Sequence, residues 1–389
     1  MTRQRVLLAL TVYNGREVVR RSLTSAAHLS RDVADIDVLV LDDCSPDPGF
    51  SDEVAAWCRE FGHDLYRSPR NLGIPRNVNL GLLAAIEGGY DHVVISNSDV
   101  VYSANAIDQL VRTANSDPRI GSVTAWSTNV SIYSIPNRSP DTHLVRQAVV
   151  DEVGTSLAAS FGAHAVDIPA GISFAMLIPV PVVRAVGLMD PVFGRGYCEE
   201  TDWSRRSLAA GFRLTLGAGA FVYHAGGGST TAAGLVSPGE TTVPANERII
   251  DLRYPEFRTD VARFYSEGVL GELWTQATDS IISRAVTQHG YDVTVGLRPA
   301  RPTSAVDRMP PVTVDVVVDD RSAHCVIDAA GFTETIDGDA LDVAETIRSR
   351  FGTARQVDLY DVGPWAERTA DLIAGDDAVT RHRNYPARV

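Results

Sequence analysis

Short apolar runs alternate with helical patterns through the first half of the chain, and this alternation constrains the fold more than any other feature. The apolar runs cover Arg5–Leu10, Ile36–Leu41, Asp91–Ser96 and Gly121–Trp126. Segments with helical periodicity separate them, as at Glu17–Leu29. Such alternation is typical of an α/β fold, in which a mostly parallel sheet is covered by helices on both faces.

Polar residues cluster where the successive apolar runs end. Thr11-Val12-Tyr13-Asn14 follows the first run, Asp42-Asp43-Cys44-Ser45 the second, and Asn97-Ser98-Asp99 the third. Open α/β sheets bind ligands just beyond the carboxyl ends of their strands. The sequence therefore predicts a binding site at this edge of the sheet.

The pattern changes after Ser237, which predicts three parts. Residues 1–237 form the α/β domain, and residues 238–305 form a mainly helical extension that ends in a linker rich in Pro and Arg, Arg298–Pro302. Residues 306–389 form a small α/β unit, predicted as strand, strand, helix, strand, helix from residue 311 onward. Within the first domain, the polar segment 129–166 is predicted to be irregular.

Composition excludes several classes of function. The chain has 389 residues, a net charge of −14 and a pI of about 5.1. This charge repels phosphate backbones, so no nucleic-acid partner is expected. All 35 basic residues are arginines, which excludes mechanisms that require a lysine amine. Four scattered cysteines indicate a reducing compartment, so we expect a cytoplasmic protein, either free or peripheral at the inner face of the membrane.

Two clusters have a binding interpretation and an ordinary structural one. The adjacent Asp42 and Asp43 suit hydrogen bonds to a base N–H or a ribose hydroxyl, but Ser45 and Pro46 also favour a simple Asx turn. Arg76 lies where a helix begins and suits a phosphate or a base edge. A capped helix after a loop explains the same segment.

Two further clusters carry candidate chemistry. Asp99 follows a strand and suits a divalent cation that keeps its waters beside a diphosphate, although a turn or helix cap is an alternative. Adjacent Glu199 and Glu200 repel each other, which raises a carboxyl pKa and suits a general base. Asp202 and the two glutamates also suit a charged first helical turn. A single histidine, His224, is a candidate metal ligand or a structural residue.

Taken in order, these clusters resemble the inverting glycosyltransferases of family 2, which have the GT-A fold. The resemblance spans residues 5–230 and is carried by Thr11–Gly15, Leu41–Ser45, Asn71–Gly73, Asn97–Val100, Ala170-Gly171, Gly187–Asp190, Glu199–Asp202 and His224. Asn97 stands where many members have an acid, which resembles the subgroup of rhamnosyl- and galactofuranosyl-transferases. Residues 240–389 lie outside the resemblance.

The resemblance implies a role for each matching residue. Thr11, Tyr13, Asp42 and Asp43 would hold the nucleobase, and Arg76, Asn79 and Asn97 would line the donor site. Asp99 and His224 would hold Mg²⁺ or Mn²⁺ on the diphosphate. Glu200 would be the catalytic base, Glu199 its acidic neighbour, and Asp202 would shape the acceptor side or cap the helix.

The implied reaction moves a sugar from a UDP- or dTDP-linked donor to a hydroxyl of a carbohydrate, lipid-linked or small-molecule acceptor. Residues 306–389 would serve acceptor positioning or homo-oligomer assembly. Three alternatives stay open. They are a sugar-phosphate nucleotidyltransferase, a dinucleotide-binding oxidoreductase, which lacks its Gly-rich fingerprint here, and a non-catalytic sugar- or nucleotide-binding protein with a degenerate transferase domain.

Overall fold

A computed structural model describes residues 3–130, 133–135, 146–225, 236–237, 240–241, 243–296, 311–360, 363–375 and 379–382. The chain divides into two compact units. The first comprises Met1–Pro140 and Val153–Leu273, and the second comprises Asp141–Glu152 and Trp274–Val389. The linker predicted at Arg298–Pro302 lies outside the described residues, and the division at residues 237 and 305 stays a prediction.

The first unit contains the large sheet. Its strands are β1 (Gln4–Val12), β2 (Ala34–Asp42), β3 (Asp64–Arg67), β4 (His92–Asn97), β5 (Val100–Tyr102), β6 (Ile120–Trp126), β7 (Ala165–Asp167), β8 (Ala175–Pro179) and β9 (Arg213–His224), with a short pair β10 (Val236–Ser237) and β11 (Glu240–Thr241). The helices up to the start of the second unit are α1 (Arg16–Ala27), α2 (Phe50–Phe61), α3 (Ile74–Glu87), α4 (Ala106–Ala114), α5 (Gln147–Phe161), α6 (Val180–Val186), α7 (Glu199–Ala209), α8 (Val243–Arg253), α9 (Phe257–Ser266) and α10 (Val269–His289).

The large sheet has the strand order β3-β2-β1-β4-β8-β6-β9-β5, with β7 beside β9. Strands β3, β2, β1 and β4 are parallel, as are β6 and β9. Strand β8 runs antiparallel between β4 and β6, and β5 and β7 are antiparallel to β9. Most of the residue pairs between neighbouring strands belong to parallel strands. This confirms the predicted α/β architecture with a large, mostly parallel sheet.

Both faces of the sheet are covered. Successive residues of β1 point to opposite faces, and Leu7, Leu8, Ala9 and Leu10 are all buried. Helix α3 covers one face at close range because Gly81 has no side chain. A Cβ at Gly81 would lie 2.5 Å from the Cβ of Ala9.

Strand register places the strand ends side by side. Val12 pairs with Asp42 between β1 and β2, and Thr11 pairs with Asn97 between β1 and β4. The polar residues that follow these strands therefore lie at one edge of the sheet, as the sequence predicts.

The structure differs from the sequence prediction in segment 129–166, which was expected to be irregular. Its described part contains helix α5, whose Gly, Ser and Thr residues weaken the helical signal. Gly154 within this helix packs closely against Ser103. A Cβ at position 154 would lie 2.3 Å from the Ser103 hydroxyl oxygen. Packing, rather than helical propensity, stabilises this helix.

The second unit has its own six-stranded sheet of order β15-β14-β13-β12-β16-β17. Its elements are β12 (Tyr291–Val295), β13 (Val312–Asp319), β14 (Ser322–Ala329), β15 (Phe332–Asp339), α11 (Ala340–Phe351), β16 (Gln356–Leu359), α12 (Pro364–Ala374) and β17 (Val379–Arg381). The sequence prediction missed two strands of this unit, β15, whose exposed positions are polar, and the three-residue β17 after the last helix. A role for this unit in oligomer assembly stays a prediction.

Among the helices of the described residues, none is both long enough and apolar enough to cross a membrane.

Candidate active site

The loops after β1 and β2 are held together by hydrogen bonds. The amide of Asn14 donates to the Ser45 hydroxyl (2.9 Å), and the amide of Asp47 donates to the side-chain oxygen of Asn14 (3.3 Å). Asn14 and Cys44 have φ values of 54° and 59°. Positive φ is uncommon outside glycine and is often found at functional sites, where the surrounding structure maintains it.

The two adjacent aspartates have different roles in this loop. Both oxygens of the buried Asp42 are used, one by the amide of Ser45 in its own loop (3.0 Å) and the other by the hydroxyl of Ser51 in α2 (2.6 Å), with Nε of Arg67 in β3 at 3.5 Å from the second oxygen. Asp43 instead accepts from the amides of Leu72 (2.7 Å) and Gly73 (2.9 Å). Asp42 therefore organises the turn, while Asp43 connects the turn to the start of α3.

Asp43 can accept further hydrogen bonds from a ligand. Burial raises the pKa of its carboxyl, and the amides of Leu72 and Gly73 partly offset this. Each carboxylate oxygen has two acceptor positions, and each of the two oxygens uses one of them for a backbone amide. One further donor, such as a nucleobase N–H, fits this arrangement.

The remaining predicted donor-site residues occupy different positions around this loop. The Thr11 hydroxyl donates to the carbonyl of Ser96 (3.1 Å), and the Tyr13 ring is partly exposed. Arg76 is exposed in the first turn of α3, and no hydrogen bond or ion pair is found for it among the described residues. The buried amide of Asn79 both donates to the carbonyl of Met189 (2.9 Å) and accepts from its N–H (2.8 Å). Asn79 therefore ties α3 to the Met189 backbone.

Gly73 brings the donor loop against a second loop. A Cβ at Gly73, which has a φ of 80°, would lie 2.3 Å from the carbonyl oxygen of Gly194. The amide of Ile74 donates to the carbonyl of Arg195 (3.2 Å). Residues 194–198 lead directly into Glu199, so the acidic pair begins α7 close to the donor loop.

Asp99 and His224 form a close pair at the sheet edge. Val100 pairs with His224 between β5 and β9, and the Nε2 atom of His224 lies 3.2 Å from Oδ1 of Asp99. Nδ1 of His224 lies 3.0 Å from the Asn129 carbonyl, which can only accept a hydrogen bond. We therefore assign the hydrogen of the neutral ring to Nδ1, so that Nε2 presents a lone pair toward the carboxylate.

This pair fits a divalent cation. Apart from the approach of Nε2, Oδ1 of Asp99 is buried without a hydrogen-bond partner. A histidine that donates its other N–H to a backbone carbonyl is the usual arrangement of a metal ligand. Among the described residues, no group of three or more His, Cys, Asp or Glu side chains could hold a metal. Waters and phosphate oxygens would therefore supply the remaining ligands, as is common for Mg²⁺.

A proton is the alternative occupant of this position. Burial lowers the pKa of His224, but the Asp99 carboxylate and the Asn129 carbonyl raise it, and the net shift is upward. Asn97 completes the surroundings, with its side-chain nitrogen 3.5 Å from Nε2. Neutral Asn97 adds no charge, so the site carries a single carboxylate.

Glu199 and Glu200 begin α7 after a loop with unusual backbone geometry. Tyr197 and Cys198 have φ values of 72° and 74°. Glu199 is 3% exposed, and one carboxyl oxygen of each glutamate is buried without a hydrogen-bond partner. Two carboxyls in one buried place cannot both ionise without a large electrostatic cost.

The pKa values of the two carboxyls are raised to different extents. Burial raises the pKa of Glu199 well above its usual value, and the neighbouring Glu200 raises it further. Burial also raises the pKa of Glu200, but its own backbone N–H and the hydrogen bond from Glu199 lower it in part. The pKa of Glu199 is therefore raised more than that of Glu200, which favours Glu200 as the member that ionises first, as a base requires.

These shifts predict how stability varies with pH. The folded protein binds these protons more tightly than the unfolded chain, so the free energy of unfolding falls as pH rises from about 4.5 toward the raised pKa values. Glu199→Gln keeps a neutral donor at this position and removes the titration. Thermal melts should therefore show the variant gaining stability relative to the wild type as pH rises from 4.5 to 8. A difference between the two that is constant with pH would contradict a raised Glu199 pKa.

Asp202 is saturated by structural partners. Its carboxylate is fully buried and accepts from Arg206 Nε (2.9 Å), Arg253 Nη1 (2.7 Å) and the Tyr254 hydroxyl (2.9 Å). The sequence analysis missed Arg253, Tyr254 and also Asn246, which contacts the loop before Glu199. No local pattern marks these residues, because their contacts span about 50 positions.

A comparison with protein-family models finds a match over part of this chain. Residues 8–157 match the family model described as Glycosyl transferase family 2. A comparison with curated proteins finds no significant match.

Several solved structures align with this chain at low identity. The mannosyltransferase PcManGT from Pyrobaculum calidifontis, in complex with GDP-Man and Mn²⁺, has 16% identity and a TM-score of 0.43, covering 73% of this chain and 87% of that chain. GalNAc-T7 with UDP, GalNAc and Mn²⁺ has 13% identity and a TM-score of 0.48, covering 72% and 55%. S. aureus TarS 1-349 has 13% identity and a TM-score of 0.43, covering 72% and 81%. The family match therefore covers residues 8–157, and the rest of the chain lies outside it.

Proposed function

We propose that this chain is an inverting glycosyltransferase that uses a nucleoside-diphosphate sugar and a divalent cation. The observation that carries the proposal is the adjacent Glu199–Glu200 pair at the start of α7, in which one carboxyl oxygen of each residue is buried without a hydrogen-bond partner and burial raises the pKa of both carboxyls. The pair follows a loop that lies against Gly73, whose amide binds Asp43. A base and a nucleotide-binding loop are therefore neighbours.

The donor would bind at the carboxyl edge of β1, β2 and β4. Asp43 would accept a hydrogen bond from the nucleobase, with Thr11 and Tyr13 beside it. Arg76, in the first turn of α3, would face the diphosphate, because a guanidinium with no partner among the described residues favours phosphate. A cation held by Asp99 and His224 would supply Lewis-acid stabilisation of the leaving diphosphate.

The chemical step follows from the charge state of the acidic pair. Glu200 removes the proton from the acceptor hydroxyl while that oxygen attacks the anomeric carbon. The bond to the nucleoside diphosphate breaks on the opposite face of the sugar, so the configuration inverts. Glu199, already protonated, donates to Glu200 and keeps it in place without competing for the proton.

The classes of donor and acceptor are proposed from the residues at the site. Asn97-Ser98-Asp99 has an amide where many members of family 2 have an acid, and from this resemblance to the rhamnosyl- and galactofuranosyl-transferase subgroup we propose a UDP- or dTDP-linked donor. A carbohydrate, lipid-linked or small-molecule acceptor needs only a hydroxyl that reaches Glu200.

A donor screen with a matched pair of variants tests the proposal. With Mg²⁺ or Mn²⁺ present, we expect the wild type to hydrolyse at least one UDP- or dTDP-sugar. Arg76→Ala should weaken nucleoside diphosphate binding about tenfold, or about 1.4 kcal/mol, because one charged hydrogen-bond donor is lost. Its melting temperature should barely change, because Arg76 is exposed.

The control for this screen is Arg31→Ala, an exposed arginine before the amino end of β2, at the opposite edge of the sheet. Its nucleotide affinity should equal that of the wild type. Calorimetry that detects no nucleoside diphosphate binding, with or without cation, would overturn the proposed function.

A further inference from the structure

A single buried amide gathers three backbone carbonyls next to the acidic pair. Nδ2 of Asn246, on α8, lies 3.0 Å from the carbonyl oxygen of Phe193, 2.7 Å from that of Gly196 and 3.0 Å from that of Tyr197. Asn246 is 6% exposed. An amide nitrogen has only two hydrogens, so the three carbonyls share them in a convergent arrangement.

The gathered carbonyls belong to a loop that needs support. Along this loop φ is 63° at Gly194, 133° at Gly196, 72° at Tyr197 and 74° at Cys198. Two of these residues are not glycine, and side chains disfavour this backbone region unless the surrounding structure imposes it. The next residue is Glu199. The direction in which the acidic pair leaves the loop therefore depends on what maintains the loop.

The same helical segment also holds the other side of the acidic pair. Arg253 and Tyr254, at the end of α8, bind the carboxylate of Asp202. Residues 246–254 therefore bind the chain on both sides of Glu199 and Glu200. Asn246 binds the loop before the pair, and Arg253 and Tyr254 bind Asp202 after it. Residues 246–254 lie outside the matched region 8–157.

We propose that Asn246 is a positioning residue, which fixes the loop of residues 193–198 so that Glu200 faces the acceptor hydroxyl. The proposal rests on the proposed function, because it assigns Asn246 an effect through Glu200. It also assigns to α8 a role in catalysis that the family match does not cover.

A double-mutant cycle tests the effect through Glu200. Asn246→Ala should lower kcat about tenfold or more, because displacing a catalytic group by about 1 Å can cost 100-fold. The KM for the donor should change less than kcat, because among the described residues no hydrogen bond of Asn246 reaches a donor-site residue. In a Glu200→Gln background, the same change should lower the residual rate less than about twofold, since misplacing an absent base has no further effect.

An activity-independent readout comes from Cys198 in the same loop. This thiol is half-buried, and burial, followed by the charges of Glu200 and Glu199, raises its pKa to about 12. A loosened loop exposes the thiol, so a maleimide probe should label Cys198 several-fold faster in Asn246→Ala, as followed by peptide mass spectrometry. Asn246→Ser, which keeps one donor, provides an intermediate variant if Asn246→Ala folds poorly.

The matched control is Asn105→Ala at the start of α4. Its amide also donates to a backbone carbonyl, that of Gly154 (3.1 Å), in another part of the first unit. This variant should leave both Cys198 labelling and kcat as in the wild type.

The outcomes separate the two proposals. Faster labelling of Cys198 in Asn246→Ala, together with kcat losses that do not add in the double-mutant cycle, supports Asn246 as a positioning residue. Unchanged labelling, or rate losses that add fully in the Glu200→Gln background, would overturn it. A wild type that neither binds nor turns over any nucleotide-sugar would instead overturn the proposed function, and unchanged Cys198 labelling would still refute the loop attachment.

Discussion

Glu200→Gln is expected to lower kcat by about 10²- to 10⁴-fold, which is the usual loss when a general base is removed. Glutamine keeps the shape and removes the oxygen that accepts the proton. Nucleoside diphosphate affinity should stay within about threefold, roughly 0.7 kcal/mol, because the base contacts the acceptor and not the nucleotide. Thermal melting, nucleotide calorimetry and transfer rate should be measured on one preparation.

Glu199→Gln is the matched control for this change. Because Glu199 is the protonated member of the pair, an amide that donates to Glu200 reproduces its role. Its rate loss should be much smaller than that of Glu200→Gln. If the glutamates only began a helix, Glu200→Gln would cost about 0.5–2 kcal/mol of stability and leave turnover per folded molecule intact. Near wild-type transfer by Glu200→Gln would move the base to Glu199, since the carboxylate of Asp202 is held by Arg206, Arg253 and Tyr254.

Asp99→Ala and His224→Ala are each expected to raise the cation concentration for half-maximal activity by at least about tenfold. Losses of 10- to 100-fold are typical when even an outer partner of a metal site is removed. Both side chains approach the same point. The double variant should therefore need only slightly more cation than whichever single variant needs more. Activity against Mg²⁺ and Mn²⁺ concentration measures this directly.

A second His–Asp pair provides the control. His382 lies 2.9 Å from Asp358 in the second unit, and replacing either residue by Ala should leave the cation requirement unchanged. Full activity of the wild type in chelator would show that a proton, rather than a cation, bridges Asp99 and His224. Strictly additive losses would argue against one shared ion.

The polar edge of the sheet was predictable from sequence because its signals are local. Thr11, Asp43 and Asn97 each lie just beyond an apolar run of the sequence, and parallel strands end at one edge of a sheet. The acidic pair was also visible, since adjacent carboxyls are costly wherever they are buried. The domain of family 2 was recognised from the order of these weak signals.

What the sequence did not reveal depends on contacts between distant residues. Asn246 reaches carbonyls about 50 positions earlier, and a helical pattern gives no sign of that contact. The partners of Asp202 are equally distant, so its burial and saturation by Arg253 were not visible. Helix α5 was missed because packing against Ser103 outweighs its weak propensity.

The ties between α3 and the segment before α7 bear on how the protein meets its substrates. Ile74, in the first turn of α3, binds Arg195, and Asn79, one turn later, binds Met189 through both sides of its amide. These three hydrogen bonds tie α3 to the chain that leads to Glu199 and Glu200. With Glu200 as the proposed base, the donor loop and the base would be pre-organised relative to each other, and little reorganisation energy would be spent when the acceptor arrives.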